Sequence, residues 1–272
     1  MSRKKIALVT GVSSGIGRAI AAVLSGGGFR VFGTMRNPNE TEGRLGDVEL
    51  VRLDLRDDES ARSCVRTVID RAGRVDALVN NAGYTLIGSL EETSIEEAKE
   101  LFETNFFGVL RMSQAVLPIM REQGYGRIAN IGSVVGFLPA PYQGIYAASK
   151  HALEGYSESL DHEVRQFGIR VSVIEPGFTR TDIARNGRLA GQPLAAYARE
   201  RDHVLDAVRQ SVAIGEDPVK VASVVLEALA SRSPRLRYLA GREAKFISGL
   251  RKFAPDNLFD KGLRKHFKLS AA

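Results

Sequence analysis

Apolar residues are distributed along this chain in two distinct patterns. Short apolar runs rich in β-forming residues occupy residues 6–9, 30–34, 48–54, 75–80, 126–133, 169–175 and 237–240. Between them, apolar residues recur at helical spacing over residues 18–28, 58–72, 96–120, 146–167 and 218–231. Strands that alternate with helices in this way are typical of a parallel sheet covered on both faces. The pattern predicts a single α/β domain over residues 1–272, with a doubly wound parallel sheet of about seven strands.

The first predicted strand runs directly into a glycine-rich turn. Residues 10–17 read TGVSSGIG and precede the first predicted helix. Gly11, Gly15 and Gly17 would permit a tight turn, a close approach of the backbone to a pyrophosphate, and close helix–strand packing. The helix N-terminus would place the phosphates near backbone N–H groups. Three glycines alone are weak evidence, but their position between a strand and a helix is the context that a dinucleotide site requires.

The end of the second predicted strand indicates which dinucleotide is bound. A dinucleotide fold usually places an acidic residue about 20 positions past the glycines, where it holds the ribose 2′-hydroxyl. Met35 and Arg36 occupy that place here. With no carboxylate to repel a phosphate and a guanidinium to pair with it, we expect NADP(H) rather than NAD(H). The alternative interpretation is that Arg36 is a solvated loop residue.

Tyr146 and Lys150 are candidates for proton transfer. They are four residues apart, so on a helix their Cβ atoms would lie about 5–6 Å from each other. A lysine charge beside a phenol favours the phenolate and would lower the tyrosine pKa, which suits proton exchange with a carbonyl or alcohol oxygen. Ser133, at the end of the fifth predicted strand, could donate a second hydrogen bond to that oxygen. The alternative is a chance Tyr-x-x-x-Lys pair on a helix surface.

Asn105 interrupts the apolar side of the long helix predicted for residues 96–120. A buried asparagine needs hydrogen-bond partners. Two roles remain open from the sequence. Its amide either bridges backbone groups or holds a water molecule that connects Lys150 to solvent.

Composition excludes several classes of protein. The chain has 272 residues, of which 44% are hydrophobic and 26% charged, as in ordinary globular domains. Cys64 is the only cysteine, so no intramolecular disulfide can form, and we expect a reducing, cytoplasmic compartment. No segment approaches the ~18 apolar residues of a transmembrane helix. The four histidines form no cluster with cysteine or acidic residues, and we expect no metal site.

Positive charge is concentrated at the C-terminus. The formal charge is +6, yet residues 232–272 alone carry 11 basic and 3 acidic residues. No recognised nucleic-acid motif accompanies them, so a solvated face of C-terminal helices is favoured over nucleic-acid binding. Within residues 242–272, a basic C-terminal extension, apolar residues interleave with the cations. We favour the interpretation that these apolar residues close the substrate pocket or a subunit contact. The alternative is that they dock on a membrane surface. They are Phe246, Ile247, Leu250, Phe253, Leu258, Phe259, Leu263, Phe267 and Leu269.

Several motifs together resemble the short-chain dehydrogenase/reductase (SDR) family. They are TGxxxGxG at residues 10–17, NNAG at 80–83, Asn105, Ser133, Tyr146-x-x-x-Lys150 and Pro176-Gly177. The resemblance covers residues 5 to about 182 in order and spacing. Thr-Met-Arg at residues 34–36 and ALEG at 152–155 are similar to the hydroxysteroid and retinol dehydrogenase-like branch. The resemblance implies a Rossmann fold. One departure is Gly132, where many members have serine.

The family pattern also implies roles for individual residues. Tyr146 would be the general acid, Lys150 would lower its pKa and bind the nicotinamide ribose, Ser133 would hold the substrate oxygen, and Asn105 would belong to a water relay. The cofactor site would comprise Gly11, Ser13, Ser14, Gly15, Ile16, Gly17, Arg36, Asp54, Leu55, Asn81, Ala82, Gly83, Tyr146, Lys150, Pro176, Gly177, Thr179 and Thr181. Within that set, Asp54 and Leu55 would meet the adenine.

The implied activity is the interconversion of a ketone or aldehyde and an alcohol with NADP(H). The alternative is a regulatory protein that senses NADP(H) without turnover. Residues 182–215 are polar with weak helical periodicity, and we expect a mobile lid over the substrate. An apolar substrate is expected because apolar side chains lie near the expected mouth of the site: Phe137, Leu138, Pro139, Tyr142 and Phe178. The family also implies a homodimer or homotetramer.

Overall fold

The apolar runs of the sequence form the strands of the computed structural model, which describes residues 4–38, 46–181 and 187–269. The strands are β1 (Lys5–Val9), β2 (Phe29–Met35), β3 (Glu49–Arg52), β4 (Ala77–Asn80), β5 (Leu86–Ile87), β6 (Gly126–Ile131), β7 (Ile169–Pro176), β8 (Arg188–Leu189) and β9 (Arg237–Ala240). Seven of these form a parallel sheet in the order β3-β2-β1-β4-β6-β7-β9, and β5 pairs with β8. The predicted doubly wound sheet is confirmed.

Helices connect the strands and cover both faces of the sheet. They are α1 (Gly15–Gly26), α2 (Asp58–Ala72), α3 (Ile95–Phe102), α4 (Gly108–Gln123), α5 (Gly144–Val164), α6 (Ala198–Ala213), α7 (Pro218–Ala230), α8 (Arg242–Phe253) and α9 (Asp256–His266). The long helix predicted for residues 96–120 is therefore α3 and α4, joined by a π-helical turn at Glu103–Phe107. Its start is fixed by a capping box, in which Ser94 and Glu97 exchange side-chain and backbone hydrogen bonds.

Side chains of β1 show how the core is divided. Ile6 and Leu8 point to the face covered by α2, α4 and α5, whereas Ala7 and Val9 point to the face covered by α1 and α7. Successive strand residues face opposite sides, so a continuous apolar run is required when both sides are buried. This is why residues 6–9 of β1 form an uninterrupted apolar run in the sequence.

The strand order determines where a ligand can bind. The chain builds β2 and β3 on one side of β1, and then crosses to add β4 on the other side. Loops that leave the carboxyl ends of β1 and β4 therefore separate and leave a crevice between them. Ligands of open α/β sheets bind at such a switch point.

Candidate active site

The carboxyl ends of the parallel strands open into a cavity of about 990 Å³. All residues predicted to bind the cofactor line it: Gly11, Ser13, Ser14, Gly15, Ile16, Gly17, Arg36, Asp54, Leu55, Asn81, Ala82, Gly83, Tyr146, Lys150, Pro176, Gly177, Thr179 and Thr181. Ser133 lines the cavity as well, whereas Asn105 lies behind its wall. The fold thus brings the predicted motifs together from distant parts of the chain.

The glycine-rich turn presents a surface free of side chains. Gly11 and Gly15 have positive φ angles of 70° and 56°, which other residues adopt only with strain. A Cβ atom on Gly17 would overlap the carbonyl oxygen of Gly11 and the side-chain amide of Asn81. Gly17 lies in the first turn of α1, where backbone N–H groups lack partners within the helix. These residues fit the pyrophosphate of a dinucleotide.

The NNAG segment is hydrogen-bonded to the same turn. Thr10 Oγ1 accepts hydrogen bonds from the backbone N–H groups of Asn81 at 2.9 Å and Ala82 at 3.1 Å. Asn81 Nδ2 donates in return to the carbonyl oxygens of Thr10 and Gly11, both at 3.0 Å. These four bonds join the loop after β1 to the loop after β4 across the crevice, so the two walls of the site are held in one arrangement.

Charged side chains lie at the expected adenosine end of the cavity. Arg36 follows β2 and Asp54 follows β3, and both line the cavity. Arg56 donates to the Asp54 carboxylate at 3.0 and 2.8 Å. This hydrogen bonding, with smaller help from the charges of Arg56 and Arg36, lowers the pKa of Asp54 to about 2. Arg56 was not predicted from the sequence, although its position two residues after Asp54 could have indicated an ion pair between them.

Tyr146, Lys150 and Ser133 come together in the wall of the cavity. Tyr146 and Lys150 are one turn apart on α5, and both are buried. Lys150 Nζ lies 5.8 Å from the centre of the Tyr146 ring and donates a 2.7 Å hydrogen bond to the carbonyl oxygen of Ile131. Ser133, two residues beyond Ile131, lies close enough to the phenol to act on its pKa. A carbonyl oxygen bound here would meet two hydroxyl groups.

The pKa values of this pair differ from the expectation. Burial raises the pKa of Tyr146 to about 12, and the nearby Ser133 hydroxyl opposes the rise. Burial also lowers the pKa of Lys150 to about 8, opposed by the charge of Glu154. The predicted lowering of the tyrosine pKa by Lys150 is therefore wrong for the chain in this structure, because desolvation of the phenolate dominates.

Asn105 lies in the π-helical turn between α3 and α4 and is almost fully buried. Its Oδ1 accepts from the backbone N–H of Tyr84 at 3.1 Å, and its Nδ2 donates to the carbonyl oxygen of Tyr84 at 2.9 Å. Nδ2 also approaches Ser149 Oγ at 3.4 Å. The side chain thus bridges backbone groups, the first of the two roles left open above. The water-relay role of this position stays a prediction.

The loop after β7 is held from the C-terminal side. Glu243 Oε2 accepts from the backbone N–H of Phe178 at 2.9 Å, and a Cβ on Gly177 would lie 2.7 Å from the same oxygen. Burial raises the pKa of Glu243, and this hydrogen bond opposes the rise. Glu216 is bonded through its backbone to Phe178 and Arg180. Neither acidic residue was predicted from the sequence, because both lie far from the motif they support.

The remaining wall of the cavity is apolar and comes from the C-terminal half. Val208 and Val212 of α6 line it together with residues of the C-terminal extension, namely Phe246, Ile247, Leu250, Phe259, Leu263, His266 and Phe267. Leu138, Pro139 and Phe178 line it as predicted. Phe137 instead packs against the buried cluster that contains Leu138 and Phe259, and Tyr142 packs against Tyr197 at 6.3 Å between ring centres. These two residues support the wall from behind.

The predicted lid is more regular than its sequence suggested. Residues 182–186 lie outside the described part of the chain. Beyond them, β8 pairs with β5, and α6 is a helix of 16 residues. The backbone N–H of Leu194 donates to Glu92 Oε1 at 2.9 Å, and Arg201 forms an ion pair with the same carboxylate. The weak helical periodicity of the sequence therefore underestimates the helical structure of residues 198–213.

A buried acidic group lies beneath the catalytic candidates. Glu154 follows Lys150 by one turn of α5 and is only 4% exposed. Arg237 Nη1 lies 2.9 Å from Glu154 Oε2 and 3.0 Å from Glu175 Oε1. The contact with Glu154 is an ion-pair contact without hydrogen-bond geometry. Burial, together with the charge of Glu175, raises the pKa of Glu154 to about 8.

Two features are absent from residues 4–38, 46–181 and 187–269. Among the described residues, no group of three His, Cys, Asp or Glu side chains is arranged to hold a metal ion. Over the same residues, no helix combines the length and apolar character needed to cross a membrane.

Comparison with known proteins gives a consistent result. The family model described as short chain dehydrogenase matches residues 5–190. The 3-ketodihydrosphingosine reductase of Bacteroides thetaiotaomicron is 38% identical over 264 residues, which cover 96% of this chain and 97% of the relative. Human 17-beta-hydroxysteroid dehydrogenase type 1 is 35% identical, with 86% of this chain and 77% of the human protein covered.

Solved structures agree with these relatives. A short-chain dehydrogenase from Streptomyces avermitilis superposes with a TM-score of 0.81 at 37% identity, with 96% of each chain covered. A Burkholderia phymatum structure in complex with NAD has a TM-score of 0.81 at 29% identity, covering 92% of this chain and 93% of its own. An alcohol dehydrogenase from Thermococcus sibiricus complexed with 5-hydroxy-NADP has a TM-score of 0.70 at 27% identity, covering 87% and 96%.

Proposed function

The chain belongs to the short-chain dehydrogenases, oxidoreductases that act on alcohols and carbonyl groups, and we propose that it interconverts an apolar ketone or aldehyde and its alcohol with NADP(H). The main support is the position of Tyr146 and Ser133, whose hydroxyl groups meet at the inner end of a largely apolar cavity beside Lys150. A regulatory protein that only bound the dinucleotide would not require this arrangement.

The residues of the chain would divide the chemistry as follows. A bound nicotinamide supplies or accepts the hydride. Ser133 and Tyr146 hold the substrate oxygen by hydrogen bonds, and the Tyr146 hydroxyl gives its proton to the alkoxide as it forms. Lys150 lies close enough for its ammonium charge to stabilise the phenolate left behind. The high pKa of Tyr146 keeps the phenol protonated, as reduction requires.

The preference for NADP(H) rests on Arg36. The solved relatives include complexes with NAD and with 5-hydroxy-NADP, so both dinucleotides occur among similar folds. In this chain Arg36 lines the cavity directly after β2, and the charge of the nearby Asp54 is compensated by Arg56. A 2′-phosphate would therefore meet a guanidinium and no uncompensated carboxylate.

The names of the relatives suggest the class of substrate. Both 3-ketodihydrosphingosine and the hydroxysteroids combine a large apolar body with a ketone or a secondary hydroxyl group. An apolar wall from α6, α8 and α9 suits such a body. Steroid, retinoid, aryl ketone and long-chain 3-keto substrates therefore form the panel to be tested.

Two further properties belong to the proposal. We expect a homodimer or homotetramer built on the helices at residues 96–120 and 151–167; Phe107, in the π-helical turn of the first segment, is 41% exposed. The lone cysteine, Cys64, supports a reducing, cytoplasmic compartment.

The decisive experiment measures cofactor binding and turnover separately. NADPH and NADH are titrated with the wild type and the Tyr146→Phe variant, and both proteins are then assayed on the panel. We expect NADPH to bind at least tenfold tighter, about 1.4 kcal/mol, and the variant to bind it normally but lose turnover. NADPH binding without turnover of any panel member would favour the sensor instead. Equal or tighter NADH binding would refute the role of Arg36.

A further inference from the structure

The two C-terminal helices have an inner and an outer side. On the inner side, Ile247 of α8 and Phe259 of α9 pack against Leu138 and Val134 and line the cavity. This agrees with the favoured interpretation, that the extension closes the substrate pocket. It leaves the outer side of the same helices to be explained.

Large apolar side chains remain exposed on that outer side. Phe246, Leu250 and Phe253 follow one another at intervals of four and three residues on α8, so they share one face of the helix. Phe246 is 70% exposed and Phe253 is 80% exposed, while Leu258 at the start of α9 is 58% exposed. We call these four residues the outer apolar face. Exposed apolar side chains grouped in this way mark an interaction site more often than isolated ones do.

Basic residues lie on the same two helices as the outer apolar face. Residues 242–269 contain eight lysines and arginines against three acidic residues, a formal charge of +5. Lys261 and Lys265 are exposed one turn apart on α9, and Lys252 is exposed beside Phe253. Amphipathic helices with cations around an apolar face bind in the interface of anionic membranes.

The outer apolar face is continuous with the mouth of the cavity. Phe246 and Leu250 belong to the outer face and also line the cavity. An apolar molecule that left a bilayer at this face would reach the cavity without crossing water. This continuity connects the surface with the apolar substrate proposed above, although the surface itself does not depend on that substrate.

We propose that the outer side of α8 and α9 docks on an anionic lipid bilayer and presents the cavity mouth to the membrane. Charge complementarity selects this occupant over a second copy of the chain, because two copies would bring like charges together. It also selects a bilayer over a nucleic acid, because acyl chains bury Leu250 and Leu258 whereas a phosphate backbone does not.

Sedimentation with vesicles tests the proposal on the full chain. The vesicles contain phosphatidylcholine alone or phosphatidylcholine with phosphatidylglycerol, each at low and at high salt. We expect binding to the anionic vesicles at low salt, much weaker binding at high salt, and little binding to phosphatidylcholine alone. Failure of the wild type to bind the anionic vesicles at low salt overturns the proposal.

Two double variants separate the apolar and electrostatic contributions. Phe253→Ser with Leu258→Ser leaves the cavity lining unchanged and should weaken binding at least about tenfold. Lys252→Glu with Lys265→Glu should weaken it by at least about tenfold as well. The matched controls carry the same changes elsewhere, Ile214→Ser with Val219→Ser and Lys4→Glu with Lys99→Glu, and should bind like the wild type. Binding that is unchanged in the first two variants, or equally weakened in the controls, overturns the proposal.

A third measurement distinguishes a protein partner. Light scattering gives the mass of the wild type and of the Phe253→Ser, Leu258→Ser variant in solution. If the wild type does not bind vesicles but forms an assembly that the variant does not form, the outer apolar face is a contact between copies of the chain. That result would overturn membrane docking. Thermal unfolding and cofactor titration of each variant confirm that it is folded, independently of whether the proposed substrate is turned over.

Discussion

Replacement of Glu154 by glutamine tests the buried acidic group beneath Lys150. Glu154 is 4% exposed, and the groups that act on its charge are Glu175, Arg237, Glu158 and Lys150. Burial and the neighbouring carboxylates raise its pKa from 4.5 to about 8 in the folded chain. Between pH 4.5 and about 8, Glu154 therefore binds a proton in the folded chain but not in the unfolded chain.

The sign and size of the effect follow from this difference. A carboxyl group with a raised folded-state pKa contributes most to stability at low pH, and the contribution is lost as the pH rises from 4.5 to about 8. The full interval corresponds to at most ~5 kcal/mol. Relaxation and the nearby Arg237 reduce this, so a loss of roughly 2–4 kcal/mol across the interval is expected.

Urea unfolding at a series of pH values measures the effect. Glu154→Gln cannot titrate at this position, so its free energy of unfolding should fall less steeply with pH than that of the wild type. Any constant cost of the buried amide cancels when the slopes are compared. Glu122→Gln changes an exposed carboxyl on α4 and should leave the profile parallel to that of the wild type. Parallel profiles for Glu154→Gln and the wild type would refute the reasoning.

Three other substitutions test separate parts of the structure. Arg36→Glu should remove the preference for NADPH over NADH, a change of at least tenfold or about 1.4 kcal/mol in the ratio of their dissociation constants; an unchanged ratio would contradict the role of Arg36. Gly17→Ala should abolish dinucleotide binding in titrations because its Cβ would overlap the Gly11 carbonyl oxygen, whereas Gly26→Ala, with open space around it on the same helix, should bind normally. Asp161→Asn should lower the free energy of unfolding by about 3–5 kcal/mol, because the fully buried carboxylate accepts from Val171 N–H at 2.8 Å and pairs with Arg165 and Arg170; a loss no larger than that of the exposed Asp70→Asn would contradict this account.

The sheet could be predicted from the sequence because burial on both faces leaves a direct trace. Strands such as β1 and β4 have apolar residues at nearly every position, and the turns that follow them carry glycine or asparagine. The predicted site residues follow from the same fact, since the carboxyl ends of parallel strands meet at one edge. Only their order along the chain was needed to place them together.

Long-range support of the site left no comparable trace. Glu243 holds the loop at Phe178 from 65 residues away, and no sequence pattern near either residue indicates the contact. Helix α6 buries Val204, Ala207, Val208 and Val212, which recur at helical spacing, but the polar residues between them obscured the pattern. The fall predicted for the Tyr146 pKa was wrong for a related reason: spacing reveals that Lys150 is near, but not how deeply both groups are buried.

Gly132 shows how one departure from the family pattern becomes intelligible in three dimensions. A Cβ on Gly132 would lie 2.9 Å from Glu154 Oε1 and 2.7 Å from Val173 Cγ1, and a Cβ on Gly136 would lie 3.0 Å from the same Glu154 oxygen. The two glycines therefore leave the space that the Glu154 carboxyl occupies beneath Ser133. Since Glu154 also acts on the charge of Lys150, the missing serine side chain and the buried acid belong to one arrangement. Residue 132 is therefore constrained by a helix that follows it in the chain, whereas the Ser133–Tyr146 pair above it keeps the spacing that the proposed chemistry requires.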